Sequence, residues 1–185
     1  ESYLLQDQIE PCLSEYQAAV ALAPNDPYVH FRYGQALGKL KRWIEAEGEM
    51  RKAIELDPKY ADAMLGLSGI LFGEEKLDEA LRCSMRAVAL APNDVDTHRV
   101  LAQFYSIKGE HDLSVQEYKI ALGLKPKSLG LHRALAMELS KTQSIDEAIV
   151  ELSLVIRELP LDEELKLAFN ALLQLKNKER EAKTD

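Results

Sequence analysis

The sequence predicts an all-α fold, a solenoid of stacked antiparallel helix pairs, and three periodic observations lead to it. Prolines recur every 34 residues, at Pro24, Pro58, Pro92, Pro126 and Pro160, each after a run of helical periodicity. Small residues recur at the same spacing in both helices of a unit: Gly34, Ser68, Ala102 and Ala136 in the first, Ala46, Ala80, Ser114 and Ala148 in the second. Polar pairs, Asn25-Asp26 and Asn93-Asp94, punctuate the turns between units. A helix pair cannot bury its apolar face alone, so the units must stack, which builds an extended curved surface rather than a closed catalytic pocket.

Residues 1–26 read as a truncated leading repeat, in which Tyr3 begins the column continued by Leu37, Leu71, Tyr105 and Leu139. Glu10-Pro11 opens its second helix, with proline at a first-turn position where no amide is needed. Since the pattern is already running at Glu1, which is not Met, an upstream segment is expected. Full repeats then span 27–60, 61–94, 95–128 and 129–162. In each first helix a large residue (Tyr33, Leu67, Leu101, Leu135) precedes the small one, which marks a crossing at an interaxial distance of about 8 to 10 Å. Gly109 is placed as a helix C-cap. Asp78, Asp112 and Asp146 stand where a carboxylate accepts from the free amides that open the second helices. A capping helix is expected over 163–177, with Leu165, Ala168, Phe169, Leu172 and Leu173 on the packed side and Glu164, Lys166, Asn170 and Gln174 facing water. The charged tail, 178–185, is expected to fray.

Twenty-three Lys and Arg stand against 31 Asp and Glu, and the net charge of -8 disfavours attraction to a phosphate backbone, so no nucleic-acid partner is expected. No stretch reaches the roughly 20 apolar residues that span a bilayer, and no signal peptide is visible, so a soluble chain without direct membrane insertion is expected. Cys12 and Cys83 have no metal-ligand spacing, fit a reducing, cytoplasmic compartment, and read as inert. Three histidines, His30, His98 and His132, share one structural column with Met64. They belong to successive layers too far apart to meet one zinc ion, which needs ligands at about 2.0 to 2.1 Å, so no metal is expected. No nucleophile with a base, carboxylate pair or phosphate-cradling loop occurs at a recognisable spacing; Gly66-Leu67-Ser68-Gly69 lies inside a helix, not in a strand-to-helix turn. The reading is non-enzymatic, with no catalytic residues and no cofactor.

These columns resemble the tetratricopeptide repeat family, and the segment from Pro27 to Tyr60 matches its signature most closely, with Tyr33-Gly34, Leu37, Trp43, Ala46, Met50, Ala53 and Pro58. The chain departs from the pattern where the Leu column of Leu22, Leu56, Leu90 and Leu124 breaks at Glu158. The resemblance implies a right-handed superhelix whose first helices line a concave groove. The groove positions are then Phe31, Arg32, Gln35 and Lys39; Leu65, Gly66, Gly69 and Phe72; Arg99, Val100, Gln103 and Ile107; and Arg133, Ala134, Met137 and Lys141. Arg99 and Arg133, one repeat apart, would form a ladder able to fork onto carboxylates; the alternative is that each is solvated or paired with a neighbouring acid. Gly66, Gly69 and Gly73 form either a bare strip for a ligand or, with Gly73 ending a short helix, tolerated glycines.

What the resemblance implies is a non-catalytic adaptor that holds a peptide segment of a protein partner, acidic and amphipathic, in the groove. Some members grip acidic chaperone tails through two groove asparagines, but Gln35, Gly69, Gln103 and Met137 stand at those places and that partner is not expected. An alternative is a self-assembling homo-oligomeric scaffold, since the stretch from Ile120 to Pro126 resembles a segment of a magnetosome-associated bacterial family. A further alternative is the accessory region of a larger enzyme. A partner could also hold the chain at the periphery of a membrane or organelle.

Overall fold

The computed structural model describes residues 13–142 and 144–181; what the sequence suggested for Tyr3, Glu10, Pro11 and Cys12 lies outside them. The chain divides into two compact units, residues 1–92 and 93–185. Unit 1 holds α1 (described over 13–22), α2 (Pro27–Lys39), α3 (Trp43–Leu56), α4 (Ala61–Gly73) and α5 (Leu77–Leu90). Unit 2 holds α6 (Val95–Ile107), α7 (His111–Leu124), α8 (Leu129–Leu139), α9 (Ile145–Glu158) and α10 (Glu163–Glu181). Successive helices pack on each other within each unit, and no strand occurs among the described residues. No helix among them is long and apolar enough to cross a membrane.

The small columns are where paired helices meet. A Cβ at Gly34 would lie 3.1 Å from Met50 Cγ and 3.3 Å from the Ala46 carbonyl, so glycine lets α2 rest on α3. In the third pair the Ser114 hydroxyl donates to the Ala102 carbonyl across the crossing at 2.8 Å. The alanines Ala46, Ala53, Ala80 and Ala87 in unit 1, and Ala121 and Ala148 in unit 2, are fully buried. Leu37, Met50, Met64 and Leu71 fill the core of unit 1, and Leu131, Leu135, Leu139, Leu152, Val155 and Leu172 that of unit 2.

The turn chemistry is partly as read. Asp26 accepts from the Tyr28 amide and Asp94 from the Thr97 amide, both at 2.9 Å, while Ser128 and Asp162 cap α8 and α10 in the same way. Gly109 adopts φ 77° after α6, and its amide and that of Glu110 close back onto the Ser106 and Tyr105 carbonyls. The same left-handed stop falls on side-chain-bearing residues in unit 1, Lys41 at φ 59° and Glu75 at φ 64°. Asp78, Asp112 and Asp146 are not the caps the sequence suggested. Lys76, Glu110 and Ser144 hold the cap positions, without a side-chain bond to the helix amides, and the aspartates lie inside the first turn, where the positive end of the helix dipole favours a carboxylate.

Two further readings change. Gly73 does end α4, but the helix is not cut short, since it has 13 residues as α2 and α6 do; the missing side chain makes room for Trp43. The capping helix also departs from a clean two-sided pattern. Among the described side chains of α10 only Leu165 and Leu172 are buried, whereas Leu167, Ala168, Leu173 and Leu175 are exposed, with α10 resting on α9. It continues through Lys178 to Glu181, with Lys178 and Arg180 placed favourably at its negative end.

Candidate functional site

On α2, Arg32, Gln35 and Lys39 follow one another at helical spacings of three and four, which puts all three on one face. They meet Gly66 and Gly69 of α4 around an open cavity of about 520 Å³, walled by Trp43, Met50 and Ile70 and floored by Gly34 and Gly38. The glycines differ in what they do. A Cβ at Gly66 would fall 2.9 Å from Met50 Cε, and one at Gly73 2.9 Å from Trp43 Cε2, so those two serve packing. Gly69 has nothing within 4 Å of such a Cβ and leaves bare helix facing the cavity.

The remaining unit 1 positions stand elsewhere. Phe31 is 7% exposed, with its ring centroid 5.1 Å from that of Tyr60, and is part of the core. Leu65 is half-buried and Phe72 is exposed, both outside the cavity lining. Arg32 lies 6.0 Å from the Tyr28 ring centroid and bonds the Tyr16 side chain, whose influence raises its pKa further. Among the described residues neither Arg32 nor Lys39 forms an ion pair with a carboxylate.

In unit 2 the cations are neutralised from within. Arg99 donates to Asp96 from Nη2 at 2.8 Å and Nε at 3.0 Å and reaches Gln103 at 3.3 Å. Arg133 lies 3.5 Å from Glu164 and 4.0 Å from Asp162. Lys141 donates to Glu138 at 2.7 Å. The Arg99 and Arg133 column is thus a row of ion pairs rather than a pair of open guanidinium groups. Val100 and Ala134 are half-buried, and Gln103, Ile107 and Met137 exposed. Arg133 and Met137 line a second cavity, about 370 Å³, between α8 and α10, whose walls are largely Ala136, Leu152, Ala168, Ala171 and Leu175.

The two cavities are one feature built twice. Shifting by three repeats carries Gly34, Gln35, Gly38, Met50, Gly66, Gly69 and Ile70 onto Ala136, Met137, Ser140, Leu152, Ala168, Ala171 and Leu172, and all fourteen are lining residues. The geometry is kept and the chemistry changes, from glycine with a basic rim in unit 1 to apolar in unit 2.

Two polar arrangements escaped sequence reading. His30, His98 and His132 each meet a glutamate 19 residues on, Glu49 and Glu117 at 2.6 Å and Glu151 at 2.5 Å. Where the column has Met64 instead, the position 19 residues on is Cys83, so both polar partners are replaced together; that paired change was the signal in the sequence. Burial raises the Cys83 thiol pKa, which leaves it protonated and unreactive. The other arrangement is Glu138, buried in a column that elsewhere holds Ala36, Ile70, Phe104 and Leu172. Burial pushes its carboxyl up, but bonds from Lys141, Ser106 and His111 outweigh this and hold it below the usual carboxylate range.

Comparison with known proteins agrees with this architecture. Residues 39–104 match the family model described as tetratricopeptide repeat. Protein O-mannosyl-transferase Tmtc2 of Drosophila melanogaster is 32% identical over 104 residues, covering 54% of this chain and 11% of that protein. The chain therefore spans about a tenth of the curated relatives it matches. A crystal structure of MamA superposes with a TM-score of 0.71 at 19% identity, covering 96% of this chain and 94% of that one. YrrB, described as a tetratricopeptide protein with an unusual peptide-binding site, does so with a TM-score of 0.71 at 19% identity, over 90% and 87% of the two chains. At such identity the structural likeness speaks to the fold alone. Residues 39–104 therefore carry the tetratricopeptide-repeat pattern, and the chain is all-α over its described residues and resembles MamA in its fold.

Proposed function

We propose that the chain is a non-catalytic adaptor that holds a peptide segment of a partner protein on the faces of its first helices, and that this segment is acidic and amphipathic. The supporting observation is the repeated cavity, since a feature kept in the same columns three repeats apart, once with a cationic rim and once with apolar walls, suits a partner with carboxylates and large apolar side chains. The overall charge of -8 makes the cationic rim the local exception.

Fluorescence anisotropy with three end-capped fluorescein-labelled peptides of equal length tests this: acidic with leucines, basic with leucines, and acidic without apolar residues. The acidic amphipathic peptide should bind at least tenfold more tightly than either control. Equal or tighter binding of the basic peptide contradicts the reading.

The Tmtc2 likeness favours a second reading, in which the chain is an interaction region of a larger transferase. An immunoblot of source extracts decides it: a band far above 20.8 kDa supports the larger protein, and one at that mass opposes it.

A further inference from the structure

Resting on the peptide-binding reading, we propose that the cavity between α2 and α4 is the subsite that recognises side-chain carboxylates, and that its ligand is an extended internal segment with two Asp or Glu residues three positions apart. Of the groove cations, Arg99, Arg133 and Lys141 already sit against Asp96, Glu164 and Glu138, so an incoming carboxylate would have to displace an internal partner. Arg32 and Lys39 have no such partner among the described residues and stand on one face of α2 beside a cavity of about 520 Å³. That volume is within the range of peptide and small-ligand pockets, roughly 300 to 1,000 Å³.

Spacing then selects the ligand's shape. Seven residues separate Arg32 from Lys39, which at about 1.5 Å per residue puts them ~10 Å apart along α2. Three residues of a polyproline-like chain rise ~9 Å and complete one turn, so carboxylates at positions i and i+3 face the same way at nearly that distance. Between the two cations the opposite wall is α4 at Gly69, where no side chain intrudes, and Trp43 and Ile70 offer an apolar surface to the intervening residues. Gln35, midway along the rim, has both a donor and an acceptor for the ligand backbone.

The probe is an acetylated and amidated peptide Ser-Glu-Pro-Leu-Glu-Ser-Cys, labelled on its cysteine with a carboxylate-free BODIPY maleimide so that its only carboxylates are side chains, with its Gln-for-Glu version as control. Affinity is measured by anisotropy against wild type, Arg32→Glu/Lys39→Glu, Gly69→Leu and Arg99→Glu/Arg133→Glu, each checked for helix content by circular dichroism. Gly69→Leu projects into open space, so it should fold normally and keeps the test independent of charge. Affinity at least tenfold weaker for the first two variants and for the Gln control, with less than threefold change for Arg99→Glu/Arg133→Glu, supports the subsite. Loss only in Arg99→Glu/Arg133→Glu overturns the subsite and leaves the peptide-binding reading standing. Absence of binding to wild type by this probe and by the acidic amphipathic peptide overturns both, whereas absence for this probe alone overturns the subsite.

Discussion

The indole of Trp43 fills the space that a side chain on Gly73 would need: a Cβ there would lie 2.9 Å from Cε2 and Cζ2 and 3.0 Å from Cδ2 of the ring. Gly73 is the last residue of α4, and its missing side chain seats the aromatic wall of the cavity. Gly73→Ala should therefore lower stability by about 1 to 3 kcal/mol through overpacking, while Gly69→Ala, four residues earlier on open helix, should raise it by up to about 1 kcal/mol. Urea denaturation of the two variants checks the opposite signs.

The left-handed stops at Lys41 and Glu75 carry the strain that Gly109 avoids. Lys41→Gly and Glu75→Gly should each stabilise by about 0.5 to 1 kcal/mol, the relief of strain being partly offset by the greater freedom of glycine in the unfolded chain. Gly109→Ala should destabilise by about 1 kcal/mol or more. Midpoints of urea unfolding at unchanged slope are the measurement.

Glu138 makes stability depend on acid. Its folded pKa is depressed below the unfolded value, so its contribution is fully present above the unfolded pKa of about 4.3 and is lost as pH falls through the folded pKa. Glu138→Gln should be less stable than wild type by about 1 to 3 kcal/mol at pH 7, with the gap closing below about pH 4. His111→Leu with Glu138→Ile recreates the apolar types found at Trp43 and Ile70 or Ile145 and Leu172, and should match or exceed wild-type stability. Unfolding free energies from pH 3 to 7 read both.

The His and Glu pairs predict a coupling that the chain itself has already tried. Glu49→Ala leaves the nearly buried His30 ring without its 2.6 Å partner and should cost about 1 to 3 kcal/mol. His30→Met/Glu49→Cys, the combination present at Met64 and Cys83, should cost less than the single change. A double-mutant cycle by thermal unfolding gives the interaction.

The sequence made the helical architecture legible because stacking forces each packed position to recur: the 34-residue proline period and the small columns at Gly34, Ala102 and Ala136 follow from packing alone. Face was legible too, since helical spacing places Arg32, Gln35 and Lys39 together. What could not be read was how surface charges settle. Arg99 and Arg32 occupy neighbouring columns, but only Arg99 has an aspartate one turn earlier, at Asp96, within reach. Glycine roles were equally hidden, because Gly66 and Gly69 differ only in whether Met50, sixteen or more residues away in sequence, lies against them. Glu138 escaped because, Lys141 in the turn after α8 apart, its donors Ser106 and His111 come from α6 and α7, 32 and 27 residues away, where no local spacing marks them.

The most direct test of a groove on the first helices is an amide NMR titration of the 15N-labelled protein with the acidic amphipathic peptide. The largest shifts are expected at Arg32 to Lys39 and Gly66 to Ile70, with little change along the outer faces of α3 and α5. Shifts confined to α3 and α5, or none at saturating peptide, would contradict that groove.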